Sequence, residues 1–248
     1  MIDGASTDGT LAILERYPHL RWISEPDHGQ SDAINKGFLM AMGDLVGWLN
    51  ADDYYLPGGL DAIVRAAEEH PEADVFYGDC MFVDSHGRIV RSKVEHDFDA
   101  QVLLYFGCYI PSTSTFFRRR LIERGLLLDC AYRVAMDFEF FARLTRLGCT
   151  FHYVPRFVAA FRWHEDNVSL RNAGRRAEER HLVQSASGCK QQAWSMEARR
   201  YWARARRLTR KVTSGNIARE IRIRQKIGFD TRWMRSPDLT QWQNLPSW

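Results

Sequence analysis

Residues Val46–Pro57 read VGWLNADDYYLP. An apolar run ends there, and two adjacent carboxylates, Asp52 and Asp53, follow at once. Neighbouring carboxylates repel, and burial raises the cost of both charges. A divalent cation removes the conflict. Mg²⁺ or Mn²⁺ takes hard oxygen ligands, commonly one or two protein carboxylates, and completes its shell with substrate phosphates. An acidic pair at a strand end therefore suits a nucleotide diphosphate. The competing reading is a cap: Asp52 or Asp53 could close the N-terminus of a helix beginning at Pro57. Spacing alone does not separate the two.

On either side of this junction, strand-like and helix-like segments alternate. A helix capped by Ser6 or Thr7 runs to Arg16, and Leu20–Ser24 reads as a short strand. Gly29–Met42 has helical spacing, Leu45–Leu49 is a buried strand, and a helix follows from Pro57 to Glu69. Asp74–Gly78 is a strand, and Met81–Lys93 folds as a hairpin around Ser85-His86-Gly87. Further on come a helix near Ala100–Phe106, a polar loop Ile110–Thr115 and a helix over Arg119–Arg124. An amphipathic helix over Asp137–Leu147 and strands Thr150–Val154 and Phe157–Trp163 complete this part. The alternation predicts an α/β fold with a mostly parallel sheet flanked by helices. Ligands bind such sheets beyond the carboxyl ends of the strands, where Asp3, Asp52 and Asp53 would converge.

The 248 residues are 45% hydrophobic and 26% charged, enough for a substantial core. No apolar run approaches the roughly 18 residues of a membrane-spanning helix, and MIDGASTDGT lacks the pattern of a secretory signal. Five scattered cysteines without CxxC spacing argue against a disulfide framework or zinc knuckle. A cytoplasmic location is expected. The net charge of +3 hides an asymmetry: residues 171–248 hold 18 Lys+Arg against 6 Asp+Glu, and residues 1–170 hold 16 against 25. That split predicts an acidic body, 1–170, and a basic helical C-terminal extension, 171–248.

Four stretches in series carry a resemblance: IDGASTDGT (Ile2–Thr10), EPDHGQSDAINKG (Glu25–Gly37), GDLVGWLNADDYYLPG (Gly43–Gly58) and MDFEFFARL (Met136–Leu144). Their order and spacing resemble the family 2 glycosyltransferases of the inverting GT-A class, over roughly residues 1–170. The resemblance implies a Rossmann-like GT-A sheet and a nucleotide-sugar donor. It also implies Mg²⁺ or Mn²⁺ as cofactor, and a glycan or lipid-linked acceptor in surface-polysaccharide synthesis.

Residue by residue, the resemblance makes Asp52 a metal ligand, with Asp53 supporting it or touching the donor sugar. Asn50 stands where the family has its first motif carboxylate; it can hydrogen-bond a ribose but brings no charge. Asp3 would hydrogen-bond the nucleotide base. Ile34 replaces the family's usual arginine, so Gln30, Asp32 or Asn35 would take over polar contacts to the donor. Asp137 matches the catalytic base, with Glu139 towards the acceptor or solvent. His164 would complete the metal or diphosphate contacts, Arg162 could reach a phosphate, and Ser112–Thr115 lies in the acceptor-facing region. Turn formation by Asp3, helix-dipole stabilisation at Asp137 and surface packing of His164 are the bland alternatives.

Against the family pattern, the chain starts at what would be the second strand. Lacking a strand–helix unit of roughly 30 residues would open the sheet and part of the nucleotide pocket. A non-catalytic, truncated interaction module is therefore one rival reading. A nucleotidyltransferase is the other, disfavoured by the lack of a glycine- and lysine-rich phosphate loop near the start. In the basic extension, Met196–Val212 is helix-prone, and Trp194, Trp202, Trp233, Trp242 and Trp248 alternate with arginines. Peripheral contact with anionic lipid, nucleic-acid binding and a solvated helix packed on the body are the three readings; nucleic acid is the least favoured partner.

Overall fold

The computed structural model of the protein describes residues 1–164, 167, 172–189 and 193–227. The apolar run at the acidic junction forms strand β3 (Leu45–Gly47). Before it come β1 (Ile2–Asp3), α1 (Thr10–Leu14), β2 (Ile23–Ser24) and α2 (Gln30–Met40). After it come β4 (Tyr54–Tyr55), α3 (Gly59–Glu69), β5 (Val75–Val83) and β6 (Ile89–Lys93). A wide-turn helical segment (Val102–Phe106) and a tight turn (Ser112–Ser114) lead into β7 (Thr115–Arg118) and α4 (Arg119–Glu123). The body closes with α5 (Met136–Arg146) and β8 (Phe151–Arg162). Three more helices follow: α6 (Ala173–Ala186), α7 (Ala193–Thr213) and α8 (Asn216–Ile227).

The expected α/β class holds, with helices on both faces of a curled sheet. The sheet itself is more mixed than strand–helix alternation implies. Six strands run in the order β3-β7-β5-β8-β4, with β6 beside β5, while β1 and β2 form a separate two-stranded ladder. Among the described residues, β1–β2 and β5–β8 are the parallel pairs; β3–β7, β5–β7, β5–β6 and β4–β8 are antiparallel. The difference comes from strands without a crossover helix. β6 returns through a hairpin at Gly87, whose φ of +80° suits glycine. β7 enters from the polar loop and inserts between β3 and β5.

Several boundaries move for local reasons. Thr7 and Ser6 do not cap α1; the Asp8 carboxylate accepts the Thr10 N–H at 2.9 Å, and Ser6 is taken up by Asp3. α3 starts two residues after Pro57, behind Gly58 in the left-handed region (φ +73°). The two strands expected around Pro155 are one strand, β8. Val154 faces Gly78 and Phe157 faces Asp79, so Pro155 and Arg156 bulge out of the ladder, which is how a strand keeps a residue that cannot donate.

Two apolar layers hold the sheet. On one face, Phe38 of α2 and Phe138, Phe140 and Phe141 of α5 meet Trp48, Tyr77 and Phe117. The Trp48 and Phe117 rings stack at 5.7 Å. On the other face, Ile63, Ala66 and Ala67 of α3 meet Phe76, Val154 and Val158. α3 lies so close that a Cβ on Gly59 would stand 2.5 Å from the Val158 carbonyl oxygen, so only glycine fits there. The helix expected over Met196–Val212 is present as α7, whereas Trp233, Trp242 and Trp248 lie outside the described residues. Among the described residues no helix is long and apolar enough to cross a membrane.

Candidate active site

The Asn50–Asp53 loop leaves β3 and turns at once into β4, so its side chains split between two directions. Asp52 points outward and is partly exposed; its Oδ2 lies 2.8 Å from His164 Nε2. Asp53 points inward, away from the cleft that Asp52 lines. Its carboxylate accepts the Arg162 N–H (2.8 Å), the Asn50 side-chain amide (3.0 Å) and the Thr113 hydroxyl (3.3 Å). Burial, opposed by the Arg162 N–H, pushes Asp53 up to about 6.

Arg162 is also a structural clamp rather than a free phosphate ligand. Its guanidinium donates to the carbonyls of Asp52, Asp84 and Ser85 at 2.9, 3.1 and 2.8 Å. Together with Asp53 it fastens the acidic loop to β8, which also delivers His164. Asn167 accepts the His164 N–H at 2.8 Å and holds that end of the loop.

Asp137 sits in the first turn of α5, where the helix dipole favours negative charge. The Phe138 N–H donates to Oδ1 at 2.7 Å, and the Cys108 thiol lies 3.8 Å from Oδ2. Burial holds its carboxyl above the usual range, against the Phe138 N–H and the charge of Lys93. Asp52, His164 and Asp137 line one cleft of about 480 Å³, with Gln30, Asn50 and Ser112. A second cleft of about 690 Å³ shares Gln30, Trp48, Asn50 and Ala51 with the first and extends to Asp3 and Ser6. The two form a continuous trough between the small ladder and α5.

At the far end, the hydroxyls of Ser24 and Ser6 and the Ser6 N–H hold the Asp3 carboxyl below its ordinary value. Gln30 donates to the Asn50 side-chain oxygen at 2.7 Å, and both line each cleft. Two expected donor contacts are absent from the trough. Asp32 accepts the His28 N–H at 3.0 Å and pairs with Lys36, bracing the start of α2. Asn35 is buried and bridges the Leu128 N–H and C=O, both at 2.8 Å. Glu139 is likewise buried and pairs with Arg143 one turn along α5. Of the polar loop only Ser112 reaches the cleft; Thr113, Ser114 and Thr115 bond inward.

Asp52 and His164 present an oxygen and a nitrogen at one point: the carboxylate suits Mg²⁺ or Mn²⁺, and the imidazole nitrogen favours the softer Mn²⁺ over Mg²⁺. Among the described residues, no group of three or more His, Cys, Asp or Glu side chains could hold a metal ion. A cation between Asp52 and His164 would therefore draw its remaining ligands from phosphate and water.

A family model described as glycosyl transferase family 2 matches residues 1–144, more than half of the chain. The chain belongs to glycosyl transferase family 2. A PGL/p-HBAD biosynthesis glycosyltransferase of Mycobacterium bovis is 33% identical over 146 residues, 56% of this chain and 55% of that protein. An uncharacterized glycosyltransferase of Nostoc sp. is 27% identical over 184 residues, 68% of this chain and 53% of its own length. The chain thus spans about half the length of these curated relatives. Among solved structures, the mannosyltransferase PcManGT from Pyrobaculum calidifontis, in complex with GDP-Man and Mn²⁺, superposes with a TM-score of 0.55. That match covers 90% of this chain and 70% of the other at 19% identity. S. aureus TarS 1-349 in complex with UDP gives 0.54 at 18% identity, covering 75% and 54%. These likenesses establish the GT-A fold.

Two features of this family 2 chain escape a reading of its sequence. Arg133 lines the cleft and donates to the His28 carbonyl, joining the α5 side of the trough to the loop before α2. The side chain fills the space beside Gly29, whose φ is +111°. Glu179 of α6 accepts the N–H groups of Arg133, Val134 and Ala135 at 2.9, 2.8 and 2.8 Å, directly before Asp137. Arg133, three residues ahead of the MDFEFF run, was open to suspicion; Glu179, inside a basic stretch, gave no signal.

Proposed function

We propose that the chain is a metal-dependent inverting glycosyltransferase. It moves a sugar from a nucleotide-sugar donor to a hydroxyl of a glycan or lipid-linked acceptor, in the cytoplasm or at the inner face of a membrane. The observation that carries the reading is the shared cleft: the Asp52–His164 pair and Asp137 line the same space while belonging to different networks. Family membership and the nucleotide-bearing complexes of PcManGT and TarS support it.

In this mechanism, Asp3 lies at the nucleotide end of the trough, and Gln30 and Asn50 offer hydrogen bonds to the ribose or donor sugar. Asp52 and His164 would hold the dication, which when bound offsets charge on the departing diphosphate. Asp137 accepts the proton of the acceptor hydroxyl. The acceptor oxygen then bonds the anomeric carbon as the bond from that carbon to the diphosphate oxygen breaks, and the nucleoside diphosphate leaves. One displacement inverts the centre through an oxocarbenium-like state. Burial raises the Asp137 carboxyl, which makes it a stronger base than an ordinary carboxylate.

The test is calorimetry with Mn²⁺ and a panel of UDP- and GDP-sugars, on the wild type and Asp137→Asn. Donor binding is expected to require Mn²⁺ and to survive the substitution within about twofold, while transfer falls by roughly 10²–10⁴. Donor binding indifferent to Mn²⁺, or undiminished transfer by the variant, overturns the proposal. Pyrophosphate release from a nucleoside triphosphate would favour a nucleotidyltransferase instead.

A further inference from the structure

Helix α7 is amphipathic in an inverted sense. Its inward side carries Arg206 and Arg210 on the buried Asp99, and Arg207 on the buried Glu95, alongside Met196 and Ala203. Its outward side carries Tyr201, Leu208 and Val212, which are 67%, 57% and 59% exposed. With Ala205 these residues recur at i, i+4, i+7 and i+11, a single stripe along the helix. Trp202 flanks the stripe, 47% exposed, with the Arg206 guanidinium 5.2 Å from its ring centroid. Arg200 and Arg204 are exposed beside it, and Arg204 lies over the Tyr201 ring at 5.6 Å.

The surface continues onto α8. A groove of about 340 Å³ between the two helices is lined by Leu208, Ile217 and Ile221, with Arg204 beside them and the Lys211–Glu220 pair within it. Ile221 is 48% exposed, and Arg222 next to it is exposed. The acidic groups nearby are Glu197, exposed on α7, and Glu220, which pairs with Lys211 at 3.2 Å.

An exposed aliphatic and aromatic stripe of this length requires a partner. Nucleic acid would use the arginines and rings but gains nothing from Leu208, Val212 and Ile221. An anionic lipid surface uses all three kinds of group: aliphatic side chains enter the acyl boundary, Tyr and Trp sit at headgroup level, and arginines meet phosphates. We infer that the outward face of α7 and α8 seats this protein on an anionic lipid surface, lying in the interface plane. The inference stands apart from the glycosyl-transfer reading, because none of these residues lines the cleft of Asp52 and Asp137.

The test is co-sedimentation of the full chain with phosphatidylglycerol/phosphatidylcholine vesicles and with phosphatidylcholine alone, at low and high salt. Three chains are compared: wild type, Tyr201→Ser/Leu208→Ser/Val212→Ser and Arg200→Glu/Arg204→Glu. The wild type should bind the anionic vesicles, and more weakly at high salt. Each variant should bind roughly tenfold or more weakly, with unchanged melting temperature and unchanged nucleotide-sugar binding. Equal binding by all three chains, or no binding by the wild type, overturns the inference. Sedimentation velocity is the second arm: wild-type self-association that the serine variant abolishes, without vesicle binding, assigns the face to a second copy instead.

Discussion

Asp79 of β5 has no exposed surface, yet it sits 2.6 Å from the Arg219 guanidinium and accepts the Glu95 N–H at 2.8 Å and the Tyr153 hydroxyl at 2.7 Å. Burial still outweighs Arg219 and pushes the carboxyl up to about 6. A buried ion pair is therefore weak evidence for stability here. The sign follows from linkage. Between about pH 4 and 6 the folded protein holds the proton and the unfolded chain releases it, so folding gains stability as pH falls through that window. The wild type should lose about 2–3 kcal/mol relative to Asp79→Asn between pH 4 and pH 7, read from denaturant midpoints; parallel pH profiles would refute this. The same scale explains which site residues were legible. Gln30, Asn50, Asp52, Asp137 and His164 all line the cleft because each follows a strand or opens a helix at the binding edge. Asp32 stands next to them but is taken up locally by His28 and Lys36, whereas Asn35, Asp53 and Arg162 face inward. That direction is set by partners such as Leu128 and Asp84, at 93 and 78 residues' separation, which no local pattern encodes.

At the scale of elements, α5 depends on α6. The Arg133, Val134 and Ala135 N–H groups lie in the turn leading into α5, and a carboxylate from another element supplies their acceptors just ahead of the base. Burial raises the Glu179 carboxyl, but the N–H groups of Arg133 and Ala135, with Arg175 and Val134, hold it below its ordinary value. Glu179→Gln keeps the shape and one acceptor but turns an amide donor on N–H donors. We expect about 2–3 kcal/mol lost on chemical unfolding, and a fall in kcat with donor affinity retained. Unaltered stability and kcat would show that the contacts are incidental. The longer elements were readable because α2, α3 and α5 carry clear 3.6-residue apolar spacing and helix-start signals. β4 and β7 were missed: two and four residues are too few for a period to declare itself, and both owe their conformation to ladder partners. Pro155 suggested a break that a bulge absorbs.

For the whole molecule, part of the charge asymmetry between residues 1–170 and 171–248 is taken up by internal pairing. Arg206, Arg207, Arg210 and Arg219 of the basic helices sit on Asp99, Glu95 and Asp79 of the acidic body. The wide-turn segment is bound in the same way: Arg180 donates to the Phe106 carbonyl, Gln184 to Leu104 at 2.7 Å, and Arg199 to the Tyr105 hydroxyl at 2.6 Å. Composition predicted two oppositely charged parts but could not say that they neutralise each other. Arg206→Met/Arg210→Met leaves Asp99 buried with backbone N–H partners only, and should lower the unfolding free energy by about 3 kcal/mol. Adding Asp99→Asn should restore much of that loss. Failure of this rescue would mean that the helices are held by apolar contact alone.

The two ladders remain, lining the trough from two sides; among the described residues no strand pairs β1 with β3. The smaller bank rests on α2 and the Asp3 hydrogen bonds. Whatever lies along that channel is therefore a cross-tie as much as a cargo. By gripping both banks at once it would reinforce the two side-chain bridges, Gln30 to Asn50 and Arg133 to the His28 carbonyl, that already join them.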